Sequence, residues 1–232
     1  MDYTALLNSR TLEFALIIII GIIGLVVQWR LQYVFKKYSR VAFPGGLTGR
    51  EVAERMLAAH GITDVRVIST PGRLTDHFDP RNGTVNLSEG VYNSNSVAAA
   101  AVAAHECGHA VQHAVGYGPL RMRSALVPLI QISSQWSFLV IIAGIALINT
   151  VPALYWVGIS MIAASALFAL VTLPVEYNAS RRAMAWLTES GTLRGEEVFQ
   201  AQTALSWAAR TYLVAALSAI ATLIYYLGFR RD

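Results

Sequence analysis

The chain has 232 residues, of which 55% are hydrophobic and 14% charged, and its mean hydropathy is +0.47. That composition excludes an ordinary soluble domain and a disordered chain, and places the protein in a lipid bilayer. The net charge of +4 does not signal nucleic-acid binding, because the basic residues form no patch interleaved with aromatics, and a lone cysteine, Cys107, excludes an internal disulfide and fits a reducing compartment.

In chain order, residues 14–27 form a purely apolar run, widened by Trp29 and by Tyr33 to Phe35, an aromatic exit typical of the lipid–water boundary. Asp2 and Glu13 precede or open this run with only Arg10 as a cation, and no small-residue cleavage pattern follows, so it reads as a retained span and not as a secretory leader. Thr48 and Glu51 have the spacing of a capping box, which starts a helix that runs to His60 and stops at Gly61, with Val52, Met56 and Ala59 on one face. Residues 65–69 read as a short strand and residues 84–87 as a second, separated by the turn residues Thr70-Pro71-Gly72 and Asp79-Pro80-Arg81-Asn82-Gly83. An alanine-rich helix is expected from about Ser96 to Val115, ended by Gly116-Tyr117-Gly118-Pro119.

From Ser124 to Val175 no residue is charged, and 52 residues are enough for two crossings of about 20 residues each, turning at Asn149-Thr150-Val151-Pro152. Residues 211–229 make a fourth span. The expected architecture is a mostly α, polytopic membrane protein with four transmembrane helices and a small helix-plus-β catalytic module. Its parts are residues 1–35 (first span), 36–124 (module), 125–175 (transmembrane hairpin), 176–206 (a helix and loop) and 207–232 (fourth span). Four crossings put both termini on one side and the two long connections on the other. Of the 18 Lys and Arg residues all but Arg10, Arg230 and Arg231 lie in or beside those connections, so the positive-inside rule assigns the module to the cytoplasmic face and the termini outside.

The chemistry is concentrated in His105-Glu106-Cys107-Gly108-His109. On a helix the two histidines project from one face within reach of a single zinc ion, and Glu106 sits beside the open position as a general base for the attacking water, a pattern that points to peptide hydrolysis. A hydrolytic zinc takes three protein ligands and leaves the fourth position to water. His113 continues the histidine face but lies about 12 Å of rise beyond His105, too far to share one ion. Glu176 is the better third ligand, because the transmembrane hairpin returns it to the membrane face that holds the histidine helix, whereas Glu189, Glu196 and Glu197 occupy a polar loop. One zinc ion per chain, held by His105, His109 and Glu176, is the expected cofactor. Cys107 points elsewhere and reads as packing, and Gly108 reads as a place where another backbone approaches the helix.

These residues, together with Leu74-Thr75-Asp76-His77-Phe78-Asp79-Pro80, Val85-Asn86-Leu87-Ser88 and Pro174-Val175-Glu176-Tyr177-Asn178-Ala179-Ser180, resemble the YugP-type membrane zinc metallopeptidases of bacteria. The likeness covers most of the chain and implies a zincin-like module in a bacterial inner membrane. More distantly, the Glu176 segment is similar to the glutamate helix of HtpX-like and CAAX prenyl proteases. Ser180 stands where those relatives carry an aspartate that orients a ligand histidine, and is by position the candidate for that contact. The resemblance also implies an edge strand to which an extended peptide adds, for which residues 84–87 are the expected segment, and it leaves Asp76, His77 and Asp79 without an assigned part beyond His77 as an oxyanion contact.

The expected function is therefore zinc-dependent endopeptidase action on a peptide or protein substrate in the membrane. The rival reading is a catalytically silent zinc-binding scaffold, which would have no use for Glu106. Ion transport is poorly supported, since the expected spans carry no histidine and no acid apart from Glu13 at an edge. Gly21 and Gly24 in the first span are compatible with a membrane-protein partner or a second copy as readily as with internal packing.

Overall fold

The computed structural model describes residues 3–43 and 45–229, with side chains from Arg10 onward. Arg230 and Arg231, which enter the charge argument, and the C-terminal Asp232 lie outside the described residues. The elements are α1 (Tyr3–Tyr38), α2 (Gly49–Ala59), β1 (Arg66–Thr70), β2 (His77–Asp79), β3 (Thr84–Ser88), α3 (Glu89–Tyr92), α4 (Val97–Ala114), α5 (Gly118–Ala146), α6 (Pro152–Glu189) and α7 (Glu196–Gly228). Four of these helices, α1, α5, α6 and α7, are long and apolar enough to cross a membrane, which makes the chain a mostly α, polytopic membrane protein.

The chain divides into two units. The first comprises residues 1–26, 122–173 and 211–232. Its helices turn large apolar side chains outward, among them Leu25, Ile132 and Phe138, as lipid-facing surfaces require. Small residues let its backbones approach. A Cβ on Gly144 would lie 2.5 Å from the Cα of Tyr155, and one on Gly158 would lie 2.9 Å from the Cα of Ile141. The Tyr155 hydroxyl donates to the Tyr226 carbonyl at 2.6 Å, so this buried polar tip in the apolar cluster is satisfied. Gly24 faces Val214, whereas Gly21 has open space around it.

The second unit comprises residues 27–121 and 174–210. The Thr48 hydroxyl accepts from the Glu51 N–H and the Glu51 carboxylate accepts from the Thr48 N–H at 2.7 Å, the reciprocal cap that starts α2. Val52, Met56 and Leu57 then pack against Val85 and Leu87 of β3 and the alanines of α4. Fifteen of the 18 residues of α4 are buried, and alanine at these positions allows neighbouring elements to close on the helix from several sides. Ser96 caps its start by accepting from the Ala99 N–H at 3.2 Å.

The sheet corrects one expectation. Its order is β1-β3-β2, with β1 parallel and β2 antiparallel to β3. Residues 84–87 are thus the middle strand, paired on both sides and fully buried, and they offer no edge to a peptide. The apolar, β-branched content that made them legible as a strand is also what suits them to the centre. The edge on that side is β2, a three-residue strand not anticipated from a segment made of His77, Phe78 and Asp79. Asp79 serves the turn that follows, accepting from the Arg81 N–H at 2.8 Å and the Asn82 amide at 2.6 Å.

The segment expected as a separate helix and loop over residues 176–206 is the continuation of α6, a loop at 190–195 and the start of α7. The helix passes through Pro174 without ending. A proline costs the bond to the carbonyl one turn earlier, but in a 38-residue helix the remaining bonds hold it.

Candidate metal centre

Where α4 crosses α6 the two backbones touch. A Cβ on Gly108 would sit 2.6 Å from the carbonyl oxygen of Ala179, so only glycine fits there. The consequence follows from helix geometry. His105 and His109 stand three residues before and one after Gly108, while Glu176 and Ser180 stand three before and one after Ala179. The four side chains that flank the contact are therefore brought face to face. Gly108→Ala should overpack this crossing and destabilise the fold by about 1–3 kcal/mol. Thermal unfolding in detergent measures this, and an unchanged midpoint would mean that the crossing is looser than described.

The Glu176 carboxylate oxygen Oε2 lies 3.2 Å from His105 Nε2 and 3.5 Å from His109 Nε2. The two imidazoles meet edge to face with centroids 4.9 Å apart. Among the described residues these three side chains are the one group of His, Cys, Asp or Glu that could hold a metal ion, with ligand atoms all within 4.8 Å of one another. Glu176 is 1% exposed, His109 7% and Glu106 8%.

The outward nitrogens of both rings are also engaged. His105 Nδ1 lies 3.1 Å from the Ser180 hydroxyl, and His109 Nδ1 lies 3.0 Å from the Gln112 side-chain oxygen. The Gln112 amide nitrogen donates to the Val175 carbonyl at 2.8 Å and to the Asn178 side-chain oxygen at 3.0 Å, and that oxygen also accepts from Arg182 Nε at 2.8 Å. With its nitrogen committed to two acceptors, Gln112 can present only its oxygen to His109. This makes Nδ1 the proton carrier and turns Nε2 toward Glu176. Burial alone would lower the His109 pKa, but the hydrogen bond to Glu176, the charges of Glu106 and Glu176 and the Gln112 contact together hold it above the usual value.

The Glu106 carboxylate has no hydrogen-bond partner among the described residues, although the residue is buried. Cys107 packs in the core with its thiol against the Ala53 carbonyl, and burial followed by the Glu106 charge pushes its pKa well up, away from thiolate chemistry. His113 stands apart from the metal-binding group, its ring tilted against Phe78 at 5.7 Å. Asp76 anchors the sheet by accepting from the Ser88 N–H and hydroxyl at 2.7 and 3.0 Å, and exposed His77 bonds the Thr75 carbonyl through Nδ1. Gln112 is not marked by the sequence, and Arg182, which the sequence offers as a partner for Glu176, bonds Asn178. A glutamine three residues past His109 on an alanine-rich helix was the available signal for Gln112.

Residues 13–231 match the model of a family described as "Putative neutral zinc metallopeptidase". The chain belongs to that family. A relative within reach of this zinc metallopeptidase assignment is "Putative membrane protease YugP" of Bacillus subtilis (strain 168), which is 39% identical over 202 residues covering 86% of this chain and 88% of that protein. No solved structure matches. Membership implies zinc and a peptide or protein substrate, and the likeness to a membrane protease agrees with the four apolar helices.

Proposed function

We propose that this protein is a membrane-embedded zinc endopeptidase in which His105, His109 and Glu176 hold one zinc ion and Glu106 moves the proton. The observation that carries the reading is the convergence of two imidazole nitrogens and one carboxylate oxygen beside a buried, unpartnered carboxylate. Two nitrogens and one oxygen are the donor set of a hydrolytic zinc site, and three protein ligands leave a position for water. Bound zinc would supply Lewis-acid polarisation of a carbonyl and acidify water toward neutrality.

The chain's own residues do the rest. Glu106, free of other hydrogen bonds, accepts a proton from the attacking water on a carboxylate oxygen and hands it to the departing amine nitrogen. Ser180 and Gln112 fix the two imidazoles by their Nδ1 atoms so that each Nε2 faces inward. Ser180 does with a neutral hydroxyl what a carboxylate does in distant relatives. An extended substrate pairs with the outer edge of β2, which leaves its far side unpaired among the described residues, and not with residues 84–87. The closing test is purified protein in detergent with an unfolded casein-like substrate. Cleavage should disappear with a chelator and return with about one zinc per chain; cleavage indifferent to the chelator would sink the reading.

The module is assigned to the cytoplasmic face of a bacterial inner membrane, on the distribution of Lys and Arg. A reporter fused after the C-terminus should be active only outside the cytoplasm. Activity inside would reverse the orientation.

A further inference from the structure

A groove of about 710 Å³ opens in the second unit between the end of α1, the loop from β1 to β2, the start of α3 and the first turns of α4. Its floor includes Ala98, Ala99 and Val102 of α4. Ala99 and Val102 lie seven and four residues before Glu106, and Ala98 lies seven before His105, so the floor is the same helix stripe that carries the candidate metal centre. The groove thus lies along α4, beginning about one turn before the candidate metal centre. One wall is the loop that leads directly into β2, the edge strand beside β3.

That loop is held in a strained form. Leu74 has a φ of +58°, in the left-handed region a branched side chain seldom enters, and it is 63% exposed. Such a conformation persists where its surroundings impose it. Here Thr75 donates to the Pro71 carbonyl at 3.2 Å, His77 bonds the Thr75 carbonyl, and Asp76 is tied to Ser88. The result is an exposed apolar side chain that lines the groove together with Phe35.

The charged lining is net positive, two cations against one carboxylate. Lys36 and Arg73 line the groove, and neither side chain has a hydrogen-bond or ion-pair partner among the described residues. The one lining carboxylate, Asp76, is already committed to Ser88. We propose that this groove is a substrate subsite that selects a peptide segment carrying an aliphatic side chain for its floor and an acidic side chain for Lys36 and Arg73. The occupant's identity as a peptide rests on the peptidase reading; the charge selection rests on the groove.

The experiment uses the zinc-loaded full chain in detergent at low salt. Quenched fluorescent peptides differ only in Glu, Gln or Lys, placed in turn at each of several positions flanking the cleaved bond. At one position Glu should be favoured over Lys by about fivefold in kcat/KM, the worth of two exposed charge pairs. Lys36→Gln with Arg73→Gln should level the ratio, and Lys36→Glu with Arg73→Glu should invert it. The same ranking should appear in peptide affinity measured by anisotropy on Glu106→Gln, which does not depend on turnover. Cleavage without any charge ranking, or a ranking untouched by the variants, overturns the subsite and leaves the peptidase reading standing. No cleavage at all, with charge-ranked binding intact, does the opposite. If the paired variants lose only binding to nanodiscs of anionic lipid while the peptide ranking persists, the groove serves a headgroup and the proposal fails.

Discussion

Glu106→Gln should abolish peptide cleavage, by about 10³-fold or more given the usual worth of a positioned general base, while zinc content and folding remain those of the parent protein. The amide keeps the size and shape of the carboxylate but cannot take up a proton at neutral pH. Glu106 is 8% exposed and has no hydrogen-bond partner among the described residues, so the exchange breaks no internal bond. It removes a charge that acts on His109 without a hydrogen bond, and stability should change little. Metal analysis, thermal unfolding and casein-type cleavage on the same preparation separate the outcomes. Undiminished cleavage would remove Glu106 from the mechanism. Parallel loss of zinc would make it a structural residue.

The second large effect concerns metal retention. Glu176→Ala removes one of three donors and should weaken zinc binding by more than about 100-fold, beyond the 10- to 100-fold range typical for loss of an orienting partner. Gln112→Leu should fall inside that range, because the side chain is fully buried and orients His109 while bonding Val175 and Asn178 of α6. His113→Ala should leave affinity unchanged, since that ring packs on Phe78. Competition with a chelating dye orders the three variants. Weaker binding in the His113 variant than in the Glu176 variant would overturn the ligand assignment. The raised pKa of His109 adds a sign. Protons compete for its nitrogen up to a higher pH than for an ordinary histidine, so zinc uptake should strengthen as pH rises through that region.

The relation between α4 and α6 explains why these effects are separable. Gly108 lets the helices touch, and the polar contacts on either side of the touching point fall into two sets. His105 pairs outward with Ser180 and inward with Glu176. His109 is held through Gln112 to the backbone of the residue just before Glu176. Loss of Gln112 therefore loosens both a proposed ligand and the helix that carries another proposed ligand, which is why its effect should exceed that of an ordinary hydrogen bond of about 1 kcal/mol.

Much of this was legible along the chain because the signals are local. Four apolar runs announce spans by length alone, the capping box at Thr48 and the alanine-rich run before His105 announce helices, and the spacing of His105 and His109 puts both on one face. Even Glu176 could be reached, because a hairpin through a membrane must return to the face it left. What sequence did not determine was register between elements far apart in the chain. That residues 84–87 form the middle strand depends on β2, whose three residues carry no periodic signal and which is held as a strand by its partner. That Gln112 serves His109 depends on α6 arriving within a backbone's breadth of Gly108, a contact across 71 residues of sequence that only the packed structure decides. Periodicity records what each segment buries, but the partner it buries against is chosen by close packing of the whole, and the atoms around a metal are aligned at that last stage.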